Sequence, residues 1–228
     1  EDIVKNYKVS PAKITVTYEG YNKDLFKPVP KTRTNPVTDK YNIVGEYIIF
    51  VGTLQPRKNI ERLIKAFKVV SGVKYQVSRN LKLVIVGKKG WLYDSILEKA
   101  KELGIEKQVA FTGFVPDEDL PGLISQAQAY ILPSLWEGFG IPVIEAQACG
   151  VPVVVSNTSS LPEVAKNSAI QVVPTDINSI AQGIIKTLDA KTKTDLVRRG
   201  FENIKRFSWE KCAGETLEIL ESLSKNSS

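Results

Sequence analysis

The sequence predicts an α/β domain: a Rossmann-like, doubly wound parallel sheet with helices on both faces. Three observations carry that prediction. Short, near-continuous apolar runs recur at Tyr47–Val51, Leu81–Val86, Val109–Thr112, Ala129–Leu132 and Val153–Val155. A strand covered on one face alternates apolar with polar residues, whereas a strand covered on both does not. The runs are separated by segments with helical spacing, and that alternation makes parallel sheets through right-handed crossovers. Finally, Gly52, Gly87, Gly113 and Pro133 stand where runs end. They mark carboxyl ends of strands, the edge on which such sheets bind ligands near a topological switch point.

In chain order, Asp2–Tyr7 reads as the end of a helix, and Lys13–Thr17 alternates like a strand. Glu19–Glu46 carries prolines and many polar residues without periodicity, which reads as linker or surface loop. After the strand Tyr47–Val51, Asn59 is placed to cap a helix whose apolar positions are Ile60, Leu63, Ile64, Phe67 and Val70. An amphipathic helix is predicted over Trp91–Leu103, closed by Gly104. Another starts at Pro116 or Asp117 and runs to Ser125, with Gly122 its weak point. Ile141–Ala148 is a short apolar helix ended by Gly150, and Ser160 caps one turn from Leu161. Ala169–Val173 is a strand, followed by helices over Ile177–Leu188, Thr194–Arg206 and Trp209–Leu223.

The 228 residues suffice for one sizeable core, and 43% hydrophobic with 25% charged residues is a globular composition. No apolar run reaches the roughly 18–20 residues of a membrane span. The chain starts Glu1-Asp2-Ile3 without an initiator Met, which reads as the middle of a longer protein. The net charge of +6 suits a solvated surface, a phosphorylated ligand or an anionic membrane face. Without a basic block, nucleic acid is not expected. Cys149 and Cys212 lack metal-ligand spacing and read as reduced thiols, pointing to the cytoplasm. With no histidine, histidine triads and histidine metal ligands are excluded.

The chemistry concentrates between Leu132 and Val155. A strand end, a loop with Gly138 and Gly140, and a helix start at Ile141 form an anion site from backbone N–H groups and the helix dipole. Glu137 and Glu145 bracket it. Glu137 alone could be a solvated loop carboxylate, and Glu145 a member of a structural pair. The basic couple Arg57-Lys58 follows the first core strand; its plain reading is a surface pair, its functional one a clamp for a pyrophosphate.

Glu137-Gly138-Phe139-Gly140, with Glu145 after seven intervening residues, resembles the nucleotide-sugar site of retaining glycosyltransferases of the GT-B fold, family 4. The likeness extends through Ala148-Cys149-Gly150-Val151-Pro152 and Ser160–Ala165, and overall from about Ile14 to the last helix. The resemblance implies the C-terminal, donor-binding half of such an enzyme. It implies residues 1–40 as the tail of an N-terminal domain plus linker, 41–206 as the donor domain and 207–228 as a crossover helix. The apolar face Leu217, Leu220 and Leu223 of that helix would then be partly uncovered.

It further implies roles. Glu137 lies by the donor sugar and Glu145 takes the ribose hydroxyls. Lys58 binds the phosphates, and Arg57 substitutes for the arginine the family carries at the position of Thr53. Gly52, Gly138, Phe139, Gly140 and Ile141 border the donor, with Phe139 and Ile141 chiefly packing, and the backbone of Val115 reads the base. Lys88, Lys89 and Trp91 read more simply as solvent cations and a core residue, and Ser156–Ser160 as a turn. The donor is a GDP- or UDP-linked sugar, with no cofactor and no metal. The acceptor, a glycan or lipid-linked sugar, is met through the N-terminal domain, compatible with peripheral attachment at the inner membrane face. The motif leans towards bacterial mannosyltransferases of polysaccharide assembly. A catalytically silent nucleotide-binding or assembly module, and a GT-B epimerase or phosphorylase, are the alternatives.

Overall fold

The computed structural model describes residues 2–30, 36–72, 80–91 and 93–225. Residues 31–35 of the predicted linker, position 92 of the helix predicted from Trp91, and 226–228 of the last segment lie outside them. Among the described residues one sheet contains β1 (Tyr47–Val51), β2 (Lys82–Val86), β3 (Val109–Gly113), β4 (Tyr130–Leu132), β5 (Val153–Ser156) and β6 (Ile170–Val172). The helices are α1 (Asp2–Tyr7), α2 (Pro36–Lys40), α3 (Ile60–Gly72), α4 (Asp94–Glu102) and α5 (Leu120–Gln126). They continue with α6 (Ile141–Ala148), α7 (Leu161–Ala165), α8 (Ile177–Thr187), α9 (Ala190–Ile204) and α10 (Trp209–Lys225).

Packing divides the chain into two units, Asn22–Lys205 and a smaller one of Glu1–Tyr21 with Arg206–Ser228. In the larger unit the strand order is β3-β2-β1-β4-β5-β6, and every neighbouring pair is parallel. The chain winds outward from β1 to β3, then returns to β4 beside β1, with Ile49 opposite Tyr130. That reversal is the switch point, where the loops after two adjacent strands part and leave a crevice. The doubly wound architecture is therefore the one predicted.

The core follows from the apolar runs. Ile48, Ile49, Phe50, Leu83, Val84, Val153 and Val154 have no exposed surface. The helical spacing of Ile60, Leu63, Ile64, Phe67 and Val70 turns all five inward on α3, which packs on α4 and α8. On α6, which packs on α5, α7 and α9, the buried polar residue is Gln147. Its amide donates to Ser168 Oγ at 2.7 Å and accepts from Asn203 Nδ2 at 2.9 Å, and that Nδ2 also donates to Val164 O at 3.0 Å. A polar group removed from water needs such partners, and these fix α6 against α9 and the end of α7. At the carboxyl edge, a Cβ on Gly87 would stand 1.9 Å from Gly52 O, so the two loops meet more closely than any side chain allows.

Four expectations are corrected. Trp91, read as a core residue at a helix start, is exposed and precedes α4. Lys13–Thr17 is not a strand: Pro11–Lys13 form a 3-10 turn and the chain continues extended. Alternation supplies a face but not a ladder partner, and no strand among the described residues pairs with it. Helix α9 begins at Ala190 rather than Thr194, because Asp189 accepts from Thr192 N at 2.8 Å and caps it. Helix α5 begins at Leu120; Pro116–Asp119 form turns instead.

In the smaller unit, Tyr18 meets Phe207 edge-on at 5.8 Å, and the Arg206 guanidinium lies over both rings. Gly20 passes so close to the start of α10 that an added Cβ would lie 2.2 Å from Trp209 N. Ser208 caps α10, its Oγ accepting from Lys211 N at 3.0 Å. Leu217, Leu220 and Leu223 are exposed along that helix. No helix among the described residues is long and apolar enough to cross a membrane.

Candidate active site

Two loops at the switch point are stitched together. The chain leaves β1 through Gly52 and reaches a 3-10 turn, Pro56–Lys58. Asn59 ends it with φ 61°, a left-handed conformation that asparagine adopts more readily than most residues. Asn59 was expected to cap α3. Instead its Nδ2 donates to Pro133 O at 2.8 Å and to Pro174 O at 2.7 Å, tying the turn to the loops after β4 and β6. Leu135 N donates to Arg57 O at 2.8 Å, adding a second stitch. Asn59→Gly keeps the backbone conformation accessible and removes the side chain. It is expected to cost about 2 kcal/mol, two buried hydrogen bonds at roughly 1 kcal/mol each. Denaturant melts read this; an unchanged midpoint would show that the stitch does not hold the loops.

The stitching brings the basic couple onto Glu137. Lys58 Nζ donates to Glu137 Oε1 at 2.6 Å, and both side chains are about nine-tenths buried, 10% and 9% exposed. Arg57 Nη1 lies 3.0 Å from Glu137 Oε2 and donates to Trp136 O, with its side chain 44% exposed. Ser134 Oγ donates to Glu137 Oε1 at 2.6 Å. Around the backbone, Glu137 N donates to Ser159 Oγ, while Ser160 Oγ lies 3.0 Å from Glu137 O and 2.8 Å from Phe139 O. Burial alone would raise the Glu137 carboxyl; the hydrogen bonds of Lys58 and Ser134 and the neighbouring positive charge overcome it and hold it below the ordinary value.

The glycine turn follows directly. Gly140 occupies the N-cap of α6 at φ 110°, and no side chain caps the helix. A Cβ there would meet Leu161 Cδ2 at 2.8 Å, so glycine is required on two grounds. The start of α6 has no side-chain cap, and Glu137, the partner of Lys58 and Arg57, lies just before its glycine turn. Gly52 borders the same cluster: its added Cβ would lie 3.6 Å from Lys58 Cε.

Glu145 lies in α6, and its environment differs. Burial pushes its carboxyl up to about 7, with the charge of Asp117 adding to the shift. Asp117, exposed in the β3–α5 loop two residues after the buried Val115, lies close enough for its charge to act on Glu145. Tyr130 of β4 is wholly buried and donates to Val51 O at 3.2 Å. Burial raises its phenol, and the charges of Glu145 and then Glu137 raise it further, which places Tyr130 within the field of both carboxylates. The two carboxyls are thus shifted in opposite directions, as expected of groups with separate tasks. Among the described residues no cluster of three or more carboxylates, thiols or imidazoles is placed to hold a metal ion.

Of the residues singled out in the sequence, Gly52, Arg57, Lys58, Glu137, Gly138, Phe139, Gly140 and Ile141 form one contiguous group. Val115 is buried in the loop that also carries Asp117. Sequence reasoning missed Ser134 and the bridging Asn59, and it treated Ser159 and Ser160 as a plain turn and cap. Ser160 makes no side-chain cap; its hydroxyl serves the Glu137 loop instead.

The family profile described as "Glycosyl transferases group 1" matches residues 39–207. The chain is 34% identical over 219 residues to the O-antigen chain mannosyltransferase B of Escherichia coli, covering 95% of this chain and 56% of that protein. It is 34% identical over 212 residues to the O-antigen chain mannosyltransferase RfbU of Salmonella typhimurium, covering 90% and 54%. The chain thus spans about half the length of these relatives. Among solved structures, the sucrose-phosphate synthase of Thermosynechococcus elongatus superposes with a TM-score of 0.77 at 27% identity, over 91% of this chain and 52% of that one. The C-terminal domain of a glycosyl transferase group 1 family protein from Francisella tularensis superposes with a TM-score of 0.70, over 82% of this chain and 97% of that domain. At 22% identity it shows the fold alone.

Proposed function

This chain belongs to the group 1 glycosyl transferases, and on that premise we propose that it is the donor-binding half of a retaining hexosyltransferase. The enzyme moves a hexosyl unit, mannosyl by its likeness to the two O-antigen mannosyltransferases, from a GDP- or UDP-linked sugar to a hydroxyl of a growing glycan or lipid-linked acceptor. The observation that carries the reading is the Arg57–Lys58–Glu137 cluster, set against the uncapped start of α6 at the sheet's switch point. Lys58 and Arg57 face the diphosphate together with the amides of Gly138–Ile141. Glu137 borders the sugar, Glu145 accepts from the ribose, and Val115 borders the base. In transfer the bond from the anomeric carbon to the diphosphate breaks and its electron pair leaves with the phosphate. The acceptor oxygen bonds to the anomeric carbon on the face the diphosphate leaves, and its proton passes to the departing phosphate oxygen. Cations and helix dipole stabilise the charge that builds on the leaving group, so no metal is required. The acceptor site lies in a further domain outside this chain, and the enzyme works on the cytoplasmic side, within reach of the inner membrane face.

Glu145 makes binding pH-dependent. Only its ionised form accepts hydrogen bonds from two hydroxyls, so donor binding draws a proton off it. With the free carboxyl at about 7, nucleoside diphosphate affinity is expected to rise about tenfold from pH 6 to pH 8, and Glu145→Gln to flatten that rise. The linked stability effect has a definite sign. A raised carboxyl makes folding less favourable as pH rises from its unfolded value towards 7, so Glu145→Gln gains stability at pH 8 and nothing at pH 4. A pH-independent wild-type affinity would remove Glu145 from the ribose.

The reaction itself is tested with the full-length protein, GDP-mannose and other nucleotide hexoses, and NMR of the product's anomeric centre. Retained α configuration from an α-linked donor is expected. An inverted product, or hydrolysis of every donor without transfer, would overturn the proposal.

A further inference from the structure

A recess lies beside Asn59. It has a volume of about 300 Å³, and neither Arg57, Lys58, Glu137, Glu145 nor the Gly138–Gly140 turn lines it. The N-terminal ends of α3, α4 and α8 converge on it, through Ile60–Arg62, Ser95 and Ile96, and Ile177. Each helix start adds partial positive charge, which an acidic residue in its first turn or cap offsets: Glu61, Asp94 and Asp176. Two half-buried cations, Arg62 and Lys65, stand one turn apart in the lining, and neither is paired with a carboxylate among the described residues. Arg62 Nη1 donates to Asn59 Oδ1 at 2.9 Å, which orients the guanidinium and leaves its other donors for a ligand. The one carboxylate in the lining, Glu61, accepts from Ser95 Oγ at 2.7 Å.

We propose that this recess is a binding site for a small oxyanion, a phosphate or carboxylate head group, separate from the crevice that holds Glu137. Two cations against one occupied carboxylate leave it net positive. The recess is partly enclosed, so water screens that charge less than on the open surface. Isoleucines 60, 96 and 177 with Leu135 supply an apolar wall for the body of the ligand. The site touches the donor crevice through Asn59, whose side chain serves both: Oδ1 on Arg62, Nδ2 on the carbonyls of the neighbouring loops.

The test is amide NMR of the isotope-labelled protein titrated with inorganic phosphate, which locates binding residue by residue and does not depend on the proposed transfer reaction. Saturable shifts at Ile60–Arg62, Ser95, Ile96 and Ile177 are expected. Arg62→Gln with Lys65→Gln should weaken them at least about tenfold, the loss of two charge-assisted hydrogen bonds; Lys58→Ala should leave them in place. Both glutamines sit at half-exposed positions, and the unshifted remainder of the spectrum reports that the fold survives. Shifts confined to Gly138–Ile141, shifts at the recess that the double variant leaves unchanged, or no saturable shifts at all would each overturn the proposal.

Discussion

Glu137→Ala is expected to cost about 3–5 kcal/mol of stability, because it strands Lys58 in a buried position without its partner. The magnitude follows from burial. Lys58 and Glu137 are each about nine-tenths buried at 2.6 Å, so the pair belongs with desolvated ion pairs rather than with surface pairs such as Lys205–Glu202. On the proposed reading, a nucleoside diphosphate brings its own negative charge to Lys58. Saturating ligand should therefore stabilise the alanine variant more than the wild type, even though transfer by the full-length variant is lost. Denaturant melts with and without ligand measure both effects. Glu137→Gln, which keeps the volume and one acceptor for Lys58, should fall between. A cost under about 1 kcal/mol for the alanine variant would mean that Lys58 is already solvated and that the pair does not form in solution. The pH dependence has the opposite sign to that of Glu145. The lowered Glu137 carboxyl contributes stability above its unfolded value, lost as pH falls through the folded one.

Lys58→Ala is expected to weaken nucleoside diphosphate binding by about 30-fold or more, the 2–5 kcal/mol typical of removing a buried charged partner. Its side chain is 10% exposed, and a phosphate reaching it completes a dry, charge-assisted contact. Arg57→Ala provides the comparison. At 44% exposure its charge is screened by water, and a loss of only a few-fold is expected. Equal and small losses in both variants would indicate a diffuse basic surface in place of a seated diphosphate.

The fold was legible because its signals are local. Strands buried on both faces announce themselves as apolar runs, and the glycines that end them sit where the backbone turns or approaches another loop. The Lys13–Thr17 segment shows the limit of that reasoning: its alternation is as clean as that of a strand, but pairing depends on a partner that the segment does not contain. The site was legible for the same reason wherever one short motif holds it, as from Glu137 to Glu145. What escaped notice is held by contacts distant in sequence. Asn59 stands 74 residues from Pro133 and 115 from Pro174, and its donors could not be matched to those carbonyls before folding. Its place next to a helix start suggested a cap, the local solution; the left-handed backbone and two long-range acceptors won. Ser134, three residues before Glu137, was the most discoverable omission, since a hydroxyl at that distance along a loop reaches back to a carboxylate readily.

On the proposed reading, backbone amides at one rim of a parallel sheet, with Lys58 and Arg57, seat a diphosphate without a divalent cation. Calorimetric titration of GDP and UDP into the protein, once with excess chelator and once with magnesium, tests it most directly. Saturable binding of at least one nucleotide with an affinity unchanged by the chelator is the result expected. Binding that disappears with the chelator and returns with magnesium, or no binding of either nucleotide by folded protein, would contradict it.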